Sequence, residues 1–485
     1  MTPDPHSSSR DASQLSRFGY AQELLRAMGG FSSFAISFSI ISILTGALTL
    51  FSHGLTYGGP AAMGLGWPLV TAGTLLVAVA MAELASAFPT AGALYHWSAM
   101  LGGPGAGWFT AWLNVLGQFA ITAGIDYGFA KFFGAALGLP EDAFVLIFAL
   151  TLVSHGALNH LSIRWVGRLN DFSATVHLVG VVLLVGALLL FGKMESVGFL
   201  FERRSTLPGS YAGLFCISLL QAMWTFTGFD ASAHVAEETH DPARRAPWGV
   251  VLSVAVSGLF GYLLISALTL AIPAGRLLEI AHDDTAPLAI VRLTLGDGAG
   301  RALMALAIVA MWFCGLSSIT ANSRMLFAFA RDGGLPGSHL WKRVSARFST
   351  PWAAIWLSTA VAFFLVVAAR AASGKAYDAV TALSTVALYL SYGLPIALGF
   401  VARLQGKWTA LGPWNIGRAG LPVAAIATLW ILFAATVCVV PPNEIVGVTL
   451  GIILALLAAT YGVTVRRRFR GPRVSLAEFQ SKSRD

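Results

Sequence analysis

The residues able to do chemistry in this 485-residue chain are few, and they sit inside apolar runs. Trp224-Thr225-Phe226-Thr227-Gly228-Phe229-Asp230-Ala231-Ser232 places a glycine and a carboxylate near the middle of one such run. A carboxylate there is costly in lipid and by default points to function. Asp230 has two readings: direct substrate contact, or capping of a helix that starts there by accepting an N–H two or three residues on. A second run, Phe34 to Gly46, is punctuated by Ser37, Ser39, Ser42 and Thr45, whose hydroxyls can satisfy backbone groups freed in a low-dielectric medium. Asn114, Gln118, Thr122 and Asp126 recur at helical spacing on one face, which either lines a pathway or bonds neighbouring helices. Ser317 and Ser318 are adjacent hard-oxygen donors of the kind a sodium site combines with backbone carbonyls, although paired serines in membrane helices commonly only pack or bond back to their own helix.

Other chemistries lack their residues. The ten histidines are scattered, with no HExxH, GxSxG or GxxxxGK[ST] pattern, which disfavours a membrane-embedded enzyme or an ATP-driven pump. Cys216, Cys314 and Cys438 each fall within apolar runs and form no CxxC pair, so neither a disulfide framework nor a metal site is indicated. No cofactor is called for. A channel differs from a carrier only in lacking saturable, exchangeable uptake.

The elements that must position these residues are transmembrane helices. Hydrophobic residues make up 56% of the chain and charged ones only 11%, unlike a soluble globular domain. Runs of about twenty apolar residues, each sufficient to cross about 30 Å of hydrocarbon, fall at 32–54, 67–87, 106–134, 143–161, 171–191, 211–237, 247–273, 301–330, 351–370, 378–402, 421–441 and 444–465. The fold class expected is therefore an all-α integral membrane protein of about twelve spans. Arg164, Arg168, Arg244, Arg245, Arg331, Lys342, Arg343, Arg347, Arg403, Lys407 and Arg418 fall in loops on one side, together with the tail Arg466, Arg467, Arg468 and Arg470. That excess places both termini in the cytosol and accounts for the net charge of +8 without nucleic acid. The first and sixth spans, each the first of a five-helix half, are interrupted at matched places, the pattern of an inverted-repeat transporter site. Half-helix N-termini near Thr45-Gly46 and near Asp230 would present N–H groups to a substrate carboxylate. Backbone carbonyls, or the rings of Trp224, Phe226 and Phe229, would hold an ammonium group. Glu83, Glu237 and Glu238, with Arg26, Arg244 and Arg324, predict an ion-paired inner gate; exposed pairs of that kind contribute at most about 1 kcal/mol each.

These residues resemble the amino acid-polyamine-organocation superfamily, and within it the amino acid/choline transporter family of GABA permeases and bidirectional amino acid transporters. The motifs are Ser39-Ile40-Ile41-Ser42-Ile43-Leu44-Thr45-Gly46, the segment Met81 to Gly92 that includes Glu83-Leu84-Ala85, Gly228 to Thr239, and Gly315-Leu316-Ser317-Ser318-Ile319-Thr320-Ala321-Asn322-Ser323-Arg324. Ala93 departs from the second glycine more usual after Gly92. The resemblance implies a LeuT-like core of ten helices in a 5+5 inverted repeat with helices 1 and 6 broken, plus two peripheral helices. Residues 1–30 are then a cytosolic tail, 31–402 the transport core, 403–465 the peripheral pair and 466–485 a basic cytosolic tail. It further implies a permease for amino acids or GABA-like amino compounds, with choline or ethanolamine as the alternative, in a plasma or bacterial inner membrane. Ser39, Ser42, Thr45, Gly46, Gln118, Trp224, Phe226, Gly228, Phe229 and Asp230 become the substrate-binding set, and Glu83, Glu237 and Arg324 the inner gate. The coupling ion is H+ or Na+. In proton-coupled relatives a lysine sits at an offset on the fifth helix similar to that of His177, so His177 resembles its replacement, with Ser317 and Ser318 the sodium alternative. The partners are a small amino acid or amine and the lipid bilayer, and the sequence does not fix the oligomeric state.

Overall fold

Apolar segments can cross a bilayer as helices because every backbone N–H and C=O then finds its partner within the segment. The computed structural model, which describes residues 5–372 and 376–481, is built from such helices. Among the described residues ten helices are long and apolar enough to cross a membrane, from Gly30–Thr49 near the N-terminus to Glu444–Val465. The two expected spans outside that set are those richest in functional polar residues. The third is one helix of 34 residues, Pro104–Leu137, whose hydropathy is lowered by buried Asn114, Gln118, Thr122 and Asp126. The sixth is cut into Tyr211–Ser218, Leu220–Thr225 and Ala231–His234.

The first span is also divided, into Gly30–Ile41, Ile43–Thr49 and Phe51–Gly58. Ser42 stands between the first two pieces at φ 37°, ψ 80°, a left-handed conformation that a side chain with a Cβ adopts only at a cost. The broken first span lies against the third, eighth and divided sixth, with the seventh (Pro242–Leu270) behind the first and the tenth (Ala376–Leu404) along the third. Leu146, Leu150, Leu190, Leu429, Ile452 and Leu456 are exposed on outer helices, the surface that lipid covers.

Sequence boundaries shift where polar residues continue a helix. The fifth span begins at Ile163, not near 171, because Ser162 Oγ accepts the Trp165 N–H and caps it. Arg164 and Arg168 therefore lie on helix rather than in a loop. The stretch 274–300 is not a plain loop either, since it carries the short helices Leu277–Ala281 and Ala286–Leu295. Both terminal segments pack on the bundle: Phe479 of the C-terminal tail stacks on Phe18 with centroids 4.7 Å apart, and Arg473 donates to the Gly19 carbonyl.

Pro208 and Ala346 lie on exposed turns flanking the sixth and eighth spans. Single cysteines at these positions, in a background lacking the three native ones, are expected to label from opposite faces of the membrane. Labelling of both by an impermeant reagent from one face would break the assigned order of crossings.

Candidate functional site at the broken first and sixth spans

A backbone break inside a membrane is tolerated only where its freed groups are satisfied, and here hydroxyls of the first and tenth spans take up groups freed at the sixth-span break. Ser37 Oγ donates to the Phe229 carbonyl at 2.8 Å, accepts the Ser232 N–H at 2.9 Å and lies 2.7 Å from Ser232 Oγ. Ser232 Oγ in turn donates to the Ser33 carbonyl at 2.6 Å. Gly228, at φ +84°, presents its N–H to Tyr392 Oη at 3.1 Å. A Cβ at Gly228 would stand 2.1 Å from Ile40 Cγ2, so only glycine gives both the left-handed turn and the close approach of the two spans.

Between the breaks lies a closed cavity of about 10 Å³, lined by Ile40, Ile41, Thr45, Gly46, Trp224 and Cys314 among others. Such a volume holds about one water, so the helices must separate to admit an organic solute. Thr45 and Gly46 line it, but their N–H groups are already engaged by the Ser42 carbonyl at 2.7 and 2.9 Å. The helix restarts at Ile43, a turn earlier than expected, and the N–H groups of Ile43 and Leu44 are the ones with no carbonyl of their own half-helix behind them. Opposite them, the Ile40 carbonyl accepts Cys314 Sγ at 3.1 Å.

Asp230 does not cap. Its carboxylate makes no capping hydrogen bond to a backbone N–H of the helix that follows; it receives Tyr392 Oη at 3.0 Å and Asn114 Nδ2 at 3.3 Å, with Gln118 Nε2 at 3.5 Å and, from that helix's own side chain, His234 Nε2 at 3.0 Å. It is a buried hub tying the third, sixth and tenth spans together, set behind the cavity. Phe226 packs on Trp67 and Phe229 on Tyr392, with centroids 5.0 and 4.9 Å apart; of the three aromatic residues Trp224 is the one in the cavity wall. His177 sits at the first break: Nε2 is 2.7 Å from Ser42 Oγ, Nδ1 is 2.8 Å from the Ser173 carbonyl, and Ser39 donates to Ser173 Oγ at 2.8 Å. Ser42 Oγ continues to Thr45 Oγ1 at 2.5 Å, so a hydroxyl chain links the imidazole to the cavity wall. Ser317 and Ser318 face different neighbours. Ser317 bonds Asn170 and the Phe313 carbonyl, Ser318 bonds Thr122 Oγ1 at 2.7 Å, and the first span's Ile40 carbonyl is met instead by Cys314.

The face that carries the N-terminus is closed by buried ion pairs. Arg324 makes a two-pronged pair with Glu238, both contacts 3.1 Å, and Arg331 another with Glu237 at 2.8 and 2.9 Å. The expected gate is therefore half re-paired. Glu83 belongs to a separate contact, with Arg403 Nη1 at 2.7 Å and the Ile416 N–H at 3.1 Å, on a helix that packs chiefly against the seventh and eleventh spans. Arg244 pairs with exposed Asp241, and Arg26 bonds the Ala236 carbonyl. Sequence reasoning missed a third layer: Asp332 accepts from Tyr20 at 2.8 Å and Tyr95 at 2.9 Å and lies 3.0 Å from His96 Nε2, while the Arg331 guanidinium stacks 4.0 Å above the Tyr20 ring. Burial opposes the Asp332 charge, yet hydrogen bonding and charge from His96, with Arg331 beside it, hold its carboxyl below the usual range. The stability it contributes is full above the ordinary carboxylate pKa and is lost as pH falls through the depressed one. The opposite face carries an open cavity of about 360 Å³ lined by Thr49, Ser52, His53, Tyr127, Lys131 and Asp284 among others.

Residues 28–463 match the amino acid permease family model. The chain belongs to that family. An amino-acid permease BAT1 homolog of Oryza sativa subsp. japonica is 34% identical over 96% of this chain and 95% of its own length. Amino-acid permease BAT1 of Arabidopsis thaliana is 35% identical, with 95% of each chain covered. A GABA-specific permease of Saccharomyces cerevisiae is 29% identical over 98% of this chain and 88% of its own length. The chain is thus a multi-pass membrane permease, a secondary transporter.

Gly228→Leu is expected to reach the membrane yet cut uptake at least about tenfold, by driving Ile40 away and parting the breaks; near-normal uptake would contradict the close-approach argument. Glu238→Gln leaves Arg324 buried beside a neutral partner and is expected to cost about 3 kcal/mol, read as a lower thermal midpoint of the purified protein; an unchanged midpoint would show that the pair does not hold this face closed.

Proposed function

We propose that this permease moves amino acids or GABA-like amino compounds by alternating access. The observation that carries the reading is the cavity between the breaks, with the start of a half-helix at Ile43 on one side and the end of another at Ile41 on the other. Free N–H groups suit a carboxylate, and terminal carbonyls suit an ammonium group. A zwitterion uses both ends, whereas choline or ethanolamine uses only the second. The printed names of the plant and yeast relatives support the same substrate class. Its substrate leaves chemically unchanged.

In this reading the third and sixth helices complete the ten to twelve spans, arranged as two inverted sets of five with two peripheral helices, and both termini face the cytosol of a plasma or bacterial inner membrane, consistent with the basic loops. The protein then stands closed to the cytosol by Glu237, Glu238, Arg324 and Arg331, with its 360 Å³ cavity facing outward. Protons couple transport through His177. Its protonation would turn Nε2 from acceptor to donor toward Ser42 and reverse the hydroxyl chain to Thr45. Sodium near Ser317 and Ser318 is the competing reading.

In proteoliposomes preloaded with an amino acid, counterflow is expected for amino acids or GABA and absent for choline and ethanolamine; the reverse pattern would overturn the substrate class. Uptake should rise as external pH falls, and His177→Gln should flatten that rise. A full pH response in that variant would remove His177 from coupling.

A further inference from the structure

Behind the cavity wall lies a further buried acid–base pair that the substrate site does not use. Asp126 Oδ2 on the third span is 3.3 Å from His155 Nδ1 on the fourth, and both side chains are fully buried. Among the described residues Asp126 Oδ1 and His155 Nε2 have no hydrogen-bond partner. Leaving two such atoms dry costs about 1–3 kcal/mol each, and a charge without compensation costs more. The pair also touches the wall directly through the chain: Ile125 and Cys314 line the cavity, and their neighbours Asp126 and Gly315 meet just behind it. A Cβ at Gly315 would stand 1.9 Å from Asp126 Oδ1 and 2.5 Å from His155 Cε1. Glycine therefore makes room for the pair itself.

We propose that Asp126 and His155 form a proton-binding site that couples proton movement to opening of the bundle. The inference rests on the permease reading above and adds a site distinct from His177. Without a bound proton the pair carries one negative charge in a dry interior; with one it is neutral, whether written as carboxylate and imidazolium or as carboxylic acid and imidazole. The proton enters from external water and stays while the third, fourth and eighth spans are packed. It leaves to water on the opposite side once they part and the charged pair can be hydrated.

Other groups on the surrounding helices have partners elsewhere. Lys131 of the third span pairs with Asp284 and His160 of the fourth receives Trp356 Nε1. On the eighth span, Cys314 bonds Ile40, Arg324 pairs with Glu238 and Arg331 with Glu237. His177 of the fifth bonds Ser42, Arg370 of the ninth lies over Phe144, and on the tenth Tyr392 bonds Asp230, Tyr389 Thr74 and Arg403 Glu83. The charges of Asp297 and Arg301 lie at the outer end of the eighth span, and those of Arg164, Arg168 and Asp171 in the first turns of the fifth. Asp126 and His155 thus rely on each other and on the shared proton.

The test uses the full-length protein in liposomes with a trapped pH dye. In the parent, substrate addition with an inward proton gradient is expected to acidify the lumen. Asp126→Asn should keep counterflow within about threefold while acidification and gradient-driven accumulation fall at least about tenfold. His155→Gln removes the imidazole but leaves a carboxylate able to take the proton, so it should shift the pH profile rather than abolish transport; it serves if Asp126→Asn does not fold. Infrared difference spectra of the purified parent between high and low pH should contain carboxyl, carboxylate or imidazole bands that Asp126→Asn alters. Parental proton flux and pH profile in both variants, or identical infrared spectra, would overturn the proposal. Absence of counterflow for every amino acid in the parent would instead overturn the permease reading, and the infrared comparison would still decide the proton site.

Discussion

Everything central in this molecule depends on how a helix can be broken inside a membrane. Backbone groups released at Gly228 have no water to turn to, so hydroxyls of neighbouring spans must take them up. The Ser37, Ser232 and Tyr392 hydroxyls do this through the contacts to Phe229, Ser33 and Gly228. The first-span break leaves a carbonyl end at Ile41 and an N–H end at Ile43, and these are the ends proposed to hold the ammonium group and carboxylate of a substrate.

The energetic layout around that site is asymmetric. Towards the N-terminal face, two buried two-pronged Arg–Glu pairs and the Asp332 cluster lie in layers beneath the sixth span, and the segment from Gln22 to Met28 is bonded to the carbonyls of Glu237 and Glu238. Breaking any one pair leaves a charge buried without its partner, an all-or-none penalty of a few kcal/mol. Such contacts suit a gate that is either shut or fully parted. The opposite face is held by the partly exposed Lys131–Asp284 pair beside an open cavity, and a pair of that kind contributes little.

Much of this was legible in the chain because lipid imposes a simple code. Span positions followed from apolar run length, and the breaks from Gly228, Asp230 and the serines of the first span. What escaped was side-chain direction. Asp230 read equally as a cap or a substrate contact, but at its observed backbone angles the carboxylate turns back into the bundle to meet Tyr392 and Asn114, residues far away in sequence. Glu83 and Glu237 read alike as charges at helix ends, and only the packing of the tenth span assigns Glu83 to Arg403. The start of the second half-helix was misplaced by a turn, since Ser42 gives no glycine signal for its left-handed backbone. Conversely, Ala93, where the resemblance leads one to expect glycine, adopts φ 40° and ψ −117°, the kind of conformation a glycine would have made easy. The Asp126–His155 pair was half visible in the polar stripe, and its partner on the fourth span carried no pattern of its own.

The central claim is that the restarted first span holds the substrate carboxylate. It is tested most directly by a structure of the protein in a lipid nanodisc with a transported amino acid bound. The account predicts the carboxylate within hydrogen-bond distance of the Ile43 and Leu44 N–H groups and the ammonium group against the carbonyls ending the first half-helix at Ile40 and Ile41. An amino acid bound elsewhere in the bundle, or a first span that runs unbroken through Ser42, would contradict it.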